Sequence, residues 1–294
     1  MKPTERSVYS AIVDRPPLRL PQGTRLVVWP ILNVEVWEID HPMPRQALVA
    51  PTGQVLLPDV ANWSWHEYGM RVGFWRIKAM LDRLGVRPTL STNGKVPEAY
   101  PRVAQAARDG GWEFMGHNYI QVPMHKVASE RDAIHRCLDA LEKFAGKRPV
   151  GWLGPGLTET LDTPDLLAEA GVKYIGDWAY DDEPTEIATR HGPLATLPYP
   201  IEINDIPVLA IQHHSPELFV KKACDTFDRL YLESAERAKF FSIAFHPYLS
   251  GTPYQIKYLE TVFDYVARHP GVAFWTGEQI LDWYRSARPA AAKK

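Results

Sequence analysis

Two cysteines in 294 residues, Cys137 and Cys224, are too few and too far apart to build a disulfide framework. Their scarcity excludes a small disulfide-stapled secreted fold and fits a reduced compartment. No run approaches the ~20 apolar residues that cross a bilayer, and the opening Met1-Lys-Pro-Thr-Glu-Arg6 lacks the apolar stretch of a secretion signal. A cytoplasmic protein with no membrane partner is the expectation. An excess of one charge is missing too: 33 basic and 35 acidic side chains leave a net charge of −2 with no block of like charges, which speaks against a nucleic-acid partner. Linkers, internal repeats and low-complexity segments are also absent. What remains is an ordinary globular composition, 45% apolar and 23% charged, able to bury a large core.

Short apolar runs alternate with longer amphipathic segments. Strands are predicted over 25–33, 87–92, 113–116, 149–153, 173–177, 240–245 and 272–276, and helices over 71–84, 100–109, 129–145, 163–170 and 254–268. Gly85, Gly146 and Gly171 close three of these helices. Such alternation argues for a parallel sheet wrapped by helices, and six or more units favour a barrel over an open sheet. The expected fold class is therefore α/β, a deformed barrel of about seven parallel strands. A small extra strand pair or hairpin is expected in 194–214, where Leu-Pro-Tyr-Pro and Asn-Asp-Ile-Pro break the pattern. One domain spans 25–286, with an N-terminal arm over 1–24 that frays or packs on a partner and a flexible tail over 287–294.

In a βα barrel, residues just past the C-terminal ends of the strands converge on one mouth. Glu35 follows the first strand, His117 the third, Trp152 and the turn Gly154-Pro155-Gly156 the fourth, Asp177 with Asp181 and Asp182 the fifth, and His246 the strand before the last predicted helix. A carboxylate, two imidazoles and an acidic loop on one rim suit acid–base hydrolysis. One partner is conspicuously missing. In Glu113-Phe-Met-Gly-His117-Asn118-Tyr-Ile-Gln121, a second imidazole four residues after His117 would make half of a divalent-metal site. Gln121 stands there instead, and an amide is a poor ligand for zinc.

The joint order of Asn33-Val-Glu35, Glu67-Tyr-Gly-Met-Arg71-Val-Gly-Phe-Trp75-Arg76, Gly116-His117, Gly151-Trp-Leu-Gly-Pro155, Asp177-Trp-Ala-Tyr-Asp181-Asp182-Glu-Pro184, Pro198-Tyr-Pro-Ile-Glu-Ile-Asn204-Asp205 and His246-Pro247 resembles a known family. It is that of the NodB-type polysaccharide deacetylases, and more closely its branch of cofactor-independent allantoinases and cyclic-imide hydrolases. Metal-dependent members carry Asp-Asp after the first strand, a base and a ligand, and His-x-x-x-His as the other ligands. By that resemblance Glu35 takes the base position, while Val36 and Gln121 stand at two of the three ligand positions. The implied enzyme has no metal cofactor; the alternative is one zinc or similar ion in a rebuilt site of Glu35, His117 and an acid from 177–182. Relatives of this kind also imply a homo-oligomer, dimer or tetramer.

The expected activity is hydrolysis of a non-peptide C–N bond in a small cyclic amide, imide or ureide. Glu35 is the expected base on water, and His246 or His117 the acid to the leaving nitrogen. Asp181 and Asp182 are expected as a further catalytic pair or else a solvated acidic turn. Tyr68, Arg71, Trp152, Pro155, Trp178, Asn204 and His214 are the expected substrate-binding residues, with Arg71 or the 154–156 backbone as oxyanion donors. Bland alternatives stand beside these roles: Glu35 in an ion pair with Arg71 or Arg76, His246 capping a strand end, the tryptophans in the core. His213 and His214, after a strand-like 208–211, cannot both face the site. Two other functions compete, an N-deacetylase of an acetylated sugar or polysaccharide with a rebuilt metal site, and a catalytically inactive carbohydrate- or metabolite-binding protein on the same frame.

Overall fold

The longest apolar strand of the sequence becomes the axis of the fold. In the computed structural model, which describes residues 1–50 and 53–288, β1 is Leu26–Val34 and is buried at all nine positions. It is followed in chain order by β2 (Thr89–Thr92), β3 (Glu113–Gly116), β4 (Gly151–Trp152), β5 (Tyr174–Ile175), β6 (Thr185–Ile187), β7 (Leu194–Thr196), β8 (Phe240–Phe245) and β9 (Val272–Phe274). The sheet order is β6-β7-β5-β4-β3-β2-β1-β8, with β9 also paired to β1. Every pairing is parallel except β6 with β7. The sheet curls into a deformed half-barrel, so the expected fold class holds.

Because successive side chains of a strand point to opposite faces, β1 serves two cores at once. Leu26, Val28, Leu32 and Val34 pack outward against helices, with Phe74, Ile77, Leu138 and Phe263 in the same cluster. Val27, Trp29 and Ile31 point inward with Tyr174 and Leu281. Extending that parity past the strand end, Asn33 and Glu35 continue the inward series, whereas Val36 joins the outer core. The pleat therefore aims the carboxylate into the barrel mouth and turns the neighbouring valine away.

Several boundaries differ from the sequence reading, each for a local reason. The extra hairpin is β6 with β7, so it starts before 194. The segment 206–211 is a π-type helical turn, Ile206–Ile211, not a strand. Pro207 has no N–H for a ladder, and the Asn204 side chain accepts from the backbone N–H of Ile206 at 3.0 Å, which starts a turn. Helices at Val60–Tyr68, Pro216–Glu233 and Gly277–Ala287 were not predicted. The last carries a capping box, Thr276 with Gln279, and runs through the start of the expected tail; residues 289–294 of that tail lie outside the described residues.

The N-terminal arm is laid against the chain's own body. Arg6 is buried and binds Asp165 through two N–H groups, at 2.7 and 3.1 Å, and the carbonyl oxygens of Leu161 and Ala188. Both cysteines are unpaired. Among the described residues no helix is long and apolar enough to cross a membrane.

A close backbone approach fixes the wall nearest the site. The helix Val60–Tyr68 passes through a π-type turn, Gly69–Gly73, into the helix Phe74–Leu84. A Cβ on Gly73 would lie 2.0 Å from the Pro247 carbonyl oxygen, and one on Gly69 2.6 Å from the Tyr248 nitrogen. The loop that follows β8 thus rests directly on helix backbone. Gly73→Ala should cost roughly 1–3 kcal/mol of stability, read as a lower urea midpoint at unchanged m-value; a wild-type midpoint would show that the approach is not constraining.

Candidate active site

The C-terminal ends of β1, β3, β4 and β8 surround a cavity of about 360 Å³. Glu35 stands just beyond β1, His117 just beyond β3 and His246 just beyond β8, and all three are buried. One oxygen of Glu35 lies 3.5 Å from His117 Nε2, 3.7 Å from His246 Nε2 and accepts a 2.8 Å bond from the Gln121 amide. The other oxygen accepts from the Trp37 indole at 3.1 Å. With a single acceptor bond made, this second oxygen keeps capacity for a water.

His246 is held by Asp205. One Asp205 oxygen accepts from His246 Nδ1 at 2.6 Å, and the other from the His246 backbone N–H and the Ser250 hydroxyl, both at 2.7 Å. Asp205 is in place because the chain at Asn204 bridges to Ala244 of β8, alongside the strand that ends at His246. Burial opposes a charge on His246, yet Asp205 and then Glu35 outweigh it and raise the imidazole to about 9. Burial likewise pushes Glu35 up, but the imidazole contacts, in which protonated His246 supplies the charge, win and hold the carboxyl well below the usual carboxylate range. At neutral pH the pocket holds a carboxylate beside an imidazolium.

The donor set does not suit a divalent cation. Val36, at one family ligand position, packs in the outer core. Gln121, at another, turns its NH₂ toward the cavity: it donates to Glu35 and lies 3.0 Å from His117 Nε2, while its carbonyl oxygen accepts from Asn93 at 3.1 Å. A cation would meet N–H hydrogens there, and Glu35, His117 and His246 do not bring three ligand atoms mutually within 4.8 Å, whereas a zinc site needs about three N, S or carboxylate ligands. Among the described residues the one group of three ligand-type side chains mutually within 4.8 Å is Glu38, Asp40 and His41, outside the cavity lining.

Of the expected site residues, the structure brings Glu35, His117, His246, Pro155 and Asn204 to the cavity wall. It does not bring the others. Asp181 pairs with Arg15 of the arm at 2.8 Å and Asp182 with Lys239 at 2.9 Å, so both serve structural ion pairs away from the cavity. Arg71 is 74% exposed, with its nearest carboxylate Glu67 at 3.6 Å, and Tyr68 is bound by Arg76; the glycine face of their segment is the buried one, which sends these side chains outward. Trp152 is wholly buried in the core, where a Cβ on Gly116 would lie 2.8 Å from its ring. Trp178 donates to Glu159 at 2.7 Å and lines a separate cleft. His214 is exposed, because the helical turn before it replaces the strand that would have aimed it.

The sequence reading gave no role to Trp37, Arg45, Tyr199 and Tyr248, all on the cavity wall. Trp37 was findable, being two residues past Glu35 on the same side of an extended segment. Asp205 was noticed only as part of a polar cluster, and nothing linear ties it to His246.

The family model described as polysaccharide deacetylase matches residues 65–175, a segment that holds His117 and Gln121 but neither Glu35 nor His246. A relative in Schizosaccharomyces pombe that bears a polysaccharide-deacetylase name is 28% identical over 251 residues, 78% of this chain and 78% of its own. Among solved structures, a "probable Polysaccharide deacetylase" from Pseudomonas aeruginosa PAO1 has TM-score 0.83 and 28% identity, covering 94% of this chain and 96% of that one. Puue allantoinase has the same TM-score and coverages at 25% identity. The resemblance read from the motifs is borne out. The chain is a hydrolase acting on carbon–nitrogen bonds other than peptide bonds.

The raised imidazole makes a signed prediction. A group whose pKa rises on folding contributes stability in full below its unfolded value, 6.5, and loses it as pH climbs through about 9. Stability should therefore fall between pH 7 and 9.5, and Asp205→Asn should both flatten that fall and lower the His246 titration seen by NMR by at least about one unit. A variant that still titrates near 9 would remove Asp205 from this role.

Proposed function

We propose that this chain opens a small cyclic amide, imide or ureide by metal-independent hydrolysis. The observation that carries the reading is buried Glu35 with His246 Nε2 3.7 Å away and Asp205 on the far imidazole nitrogen at 2.6 Å, in a cavity of about 360 Å³, an arrangement that favours an ionised carboxyl beside a protonated imidazole. Glu35 takes a proton from water as the water oxygen bonds to the ring carbonyl, whose electron pair moves onto oxygen. The Tyr248 hydroxyl, which has no partner among the described residues, and the Arg45 guanidinium are donors on the cavity wall for that oxyanion. As the carbonyl re-forms, the C–N bond breaks and His246 Nε2 gives its proton to the departing nitrogen. Glu35 then returns its proton to His246 across the short gap, and the ring leaves as an acid with a free N–H group.

His246 is the acid in this reading, which leaves His117 a supporting part. A ring imide or ureide is more electrophilic than an acetamide, which suits a site without a Lewis acid. The cavity's size supports a small molecule over a polymer strand, and the name of Puue allantoinase supports a ureide ring. The names of the other relatives favour the second reading, removal of acetyl groups from a sugar.

A panel of hydantoins, succinimides, allantoin and N-acetylated sugars, assayed before and after chelation, separates the two. Turnover of a cyclic substrate, unchanged by chelator, is the expected result, and Glu35→Gln should lower kcat by about 10²–10⁴-fold. Turnover confined to acetylated sugars and abolished by chelator would overturn the proposal.

A further inference from the structure

The hydrogen bonds around Glu35 run in one direction, and that direction is set outside the cavity. Asn93, the first residue after β2, is wholly buried. Its side-chain oxygen accepts from the backbone N–H of Val36 at 2.8 Å, and its nitrogen donates to the backbone carbonyl of His117. Backbone groups cannot exchange roles, so the Asn93 amide has one possible orientation. Its nitrogen also faces Gln121 Oε1 at 3.1 Å, which forces the Gln121 NH₂ onto Glu35 and onto His117 Nε2. At the far end, His117 Nδ1 lies 2.6 Å from the Leu153 carbonyl oxygen, an acceptor only, and must carry the ring proton. The two ends agree: His117 Nε2 is bare and receives a hydrogen.

We infer that Asn93 is a positioning residue of this site, holding the Gln121 amide so that its NH₂ faces Glu35 and the Nε2 of His117, whose tautomer the Leu153 carbonyl sets. The role it is given in catalysis rests on the hydrolytic reading above; the polarity itself does not. With Nε2 bare, His117 has no proton to give on the cavity side, and one amide hydrogen remains on Glu35 where the opposite orientation would set a carbonyl oxygen against the carboxylate. Glu35 is otherwise faced by His246 with Asp205 behind it and by Tyr248 after β8, by Tyr199 after β7, and by Arg45 in the loop after β1. None of these hydrogen-bonds to Gln121; Glu35 and His117 accept its two hydrogens, and Asn93 is the donor that holds its oxygen, so the three together fix the amide.

Asn93→Asp reverses the imposed direction. The introduced carboxylate still accepts from Val36 but has no hydrogen for Gln121, whose amide turns its NH₂ to that carboxylate and its oxygen to Glu35 and His117. Long-range ¹H–¹⁵N spectra of the full-length protein should show His117 protonated at Nδ1 with a bare Nε2 in the wild type. In Asn93→Asp the Nε2 resonance should also become pyrrole-like, His117 taking a second proton while Nδ1–H stays on the Leu153 carbonyl. Asn93→Ala, which adds no charge but removes the donor to the Gln121 oxygen, should give a mixture of bare and protonated Nε2.

The double variant Asn93→Asp/Gln121→Met separates relay from charge: with the amide gone, His117 should return to the wild-type tautomer. A role confined to packing would lower thermal stability and leave all four spectra alike. A wild-type His117 signature in Asn93→Ala, or a shift that persists in the double variant, overturns the inference. None of these spectra needs a substrate, so an absence of turnover on the cyclic panel would sink the hydrolytic reading while the relay is still decided. If both hold, Asn93→Asp should also lose at least about tenfold in kcat/KM, the scale of one charge-assisted hydrogen bond.

Discussion

The buried charge on Glu35 is the constraint around which the site is arranged. An isolated carboxylate taken out of water is costly by many kcal/mol and would ordinarily neutralise itself by taking a proton. Here it stays ionised because His246 stands 3.7 Å away with a proton, and His246 keeps that proton against burial because Asp205 holds its other nitrogen at 2.6 Å. Three buried groups therefore stabilise one another. Removing His246 would leave Glu35 and Asp205 without their shared buried partner, and the Gln121, Trp37 and Ser250 donors help to hold the set in place.

Those contacts come from opposite ends of the chain. The parity of β1 delivers Glu35 to the barrel interior, and the bridge between Asn204 and Ala244 brings Asp205 to the end of β8. The glycine face of Gly69–Gly73 lets helix backbone support the loop that carries His246 and Tyr248. On the other flank, Gln121 occupies what would be a metal ligand's place and supplies hydrogens where a cation would have supplied charge.

Much of the fold was legible in the linear pattern. The strand over 113–116 and the strand over 240–245 coincide with β3 and β8, since short apolar runs between glycines and helices have little else to become. The helices that escaped notice were those whose start signals lay beside irregular segments, such as Ser215-Pro216 after the turn at 206–211. In the site, residues immediately past strand ends were read correctly as converging: Glu35, His117 and His246. Residues placed by analogy with an acidic loop or an aromatic motif were not. Asp181 and Asp182 are spent on Arg15 and Lys239, and Trp152 on the core.

Sequence alone determined the alternation of strand and helix and the placement of Glu35, His117 and His246 just past strand ends, local properties fixed by periodicity and by the identity of a residue next to a strand end. The family resemblance added that Val36 and Gln121 stand where metal-dependent relatives carry ligands. Only the tertiary structure decided that Asp205 orients His246 across 41 residues of chain, that Arg71 faces solvent, and that Asn93 aims the Gln121 amide. Hydrogen-bond direction and ion pairing depend on which groups share a few ångströms of space, and no linear spacing encodes that neighbourhood.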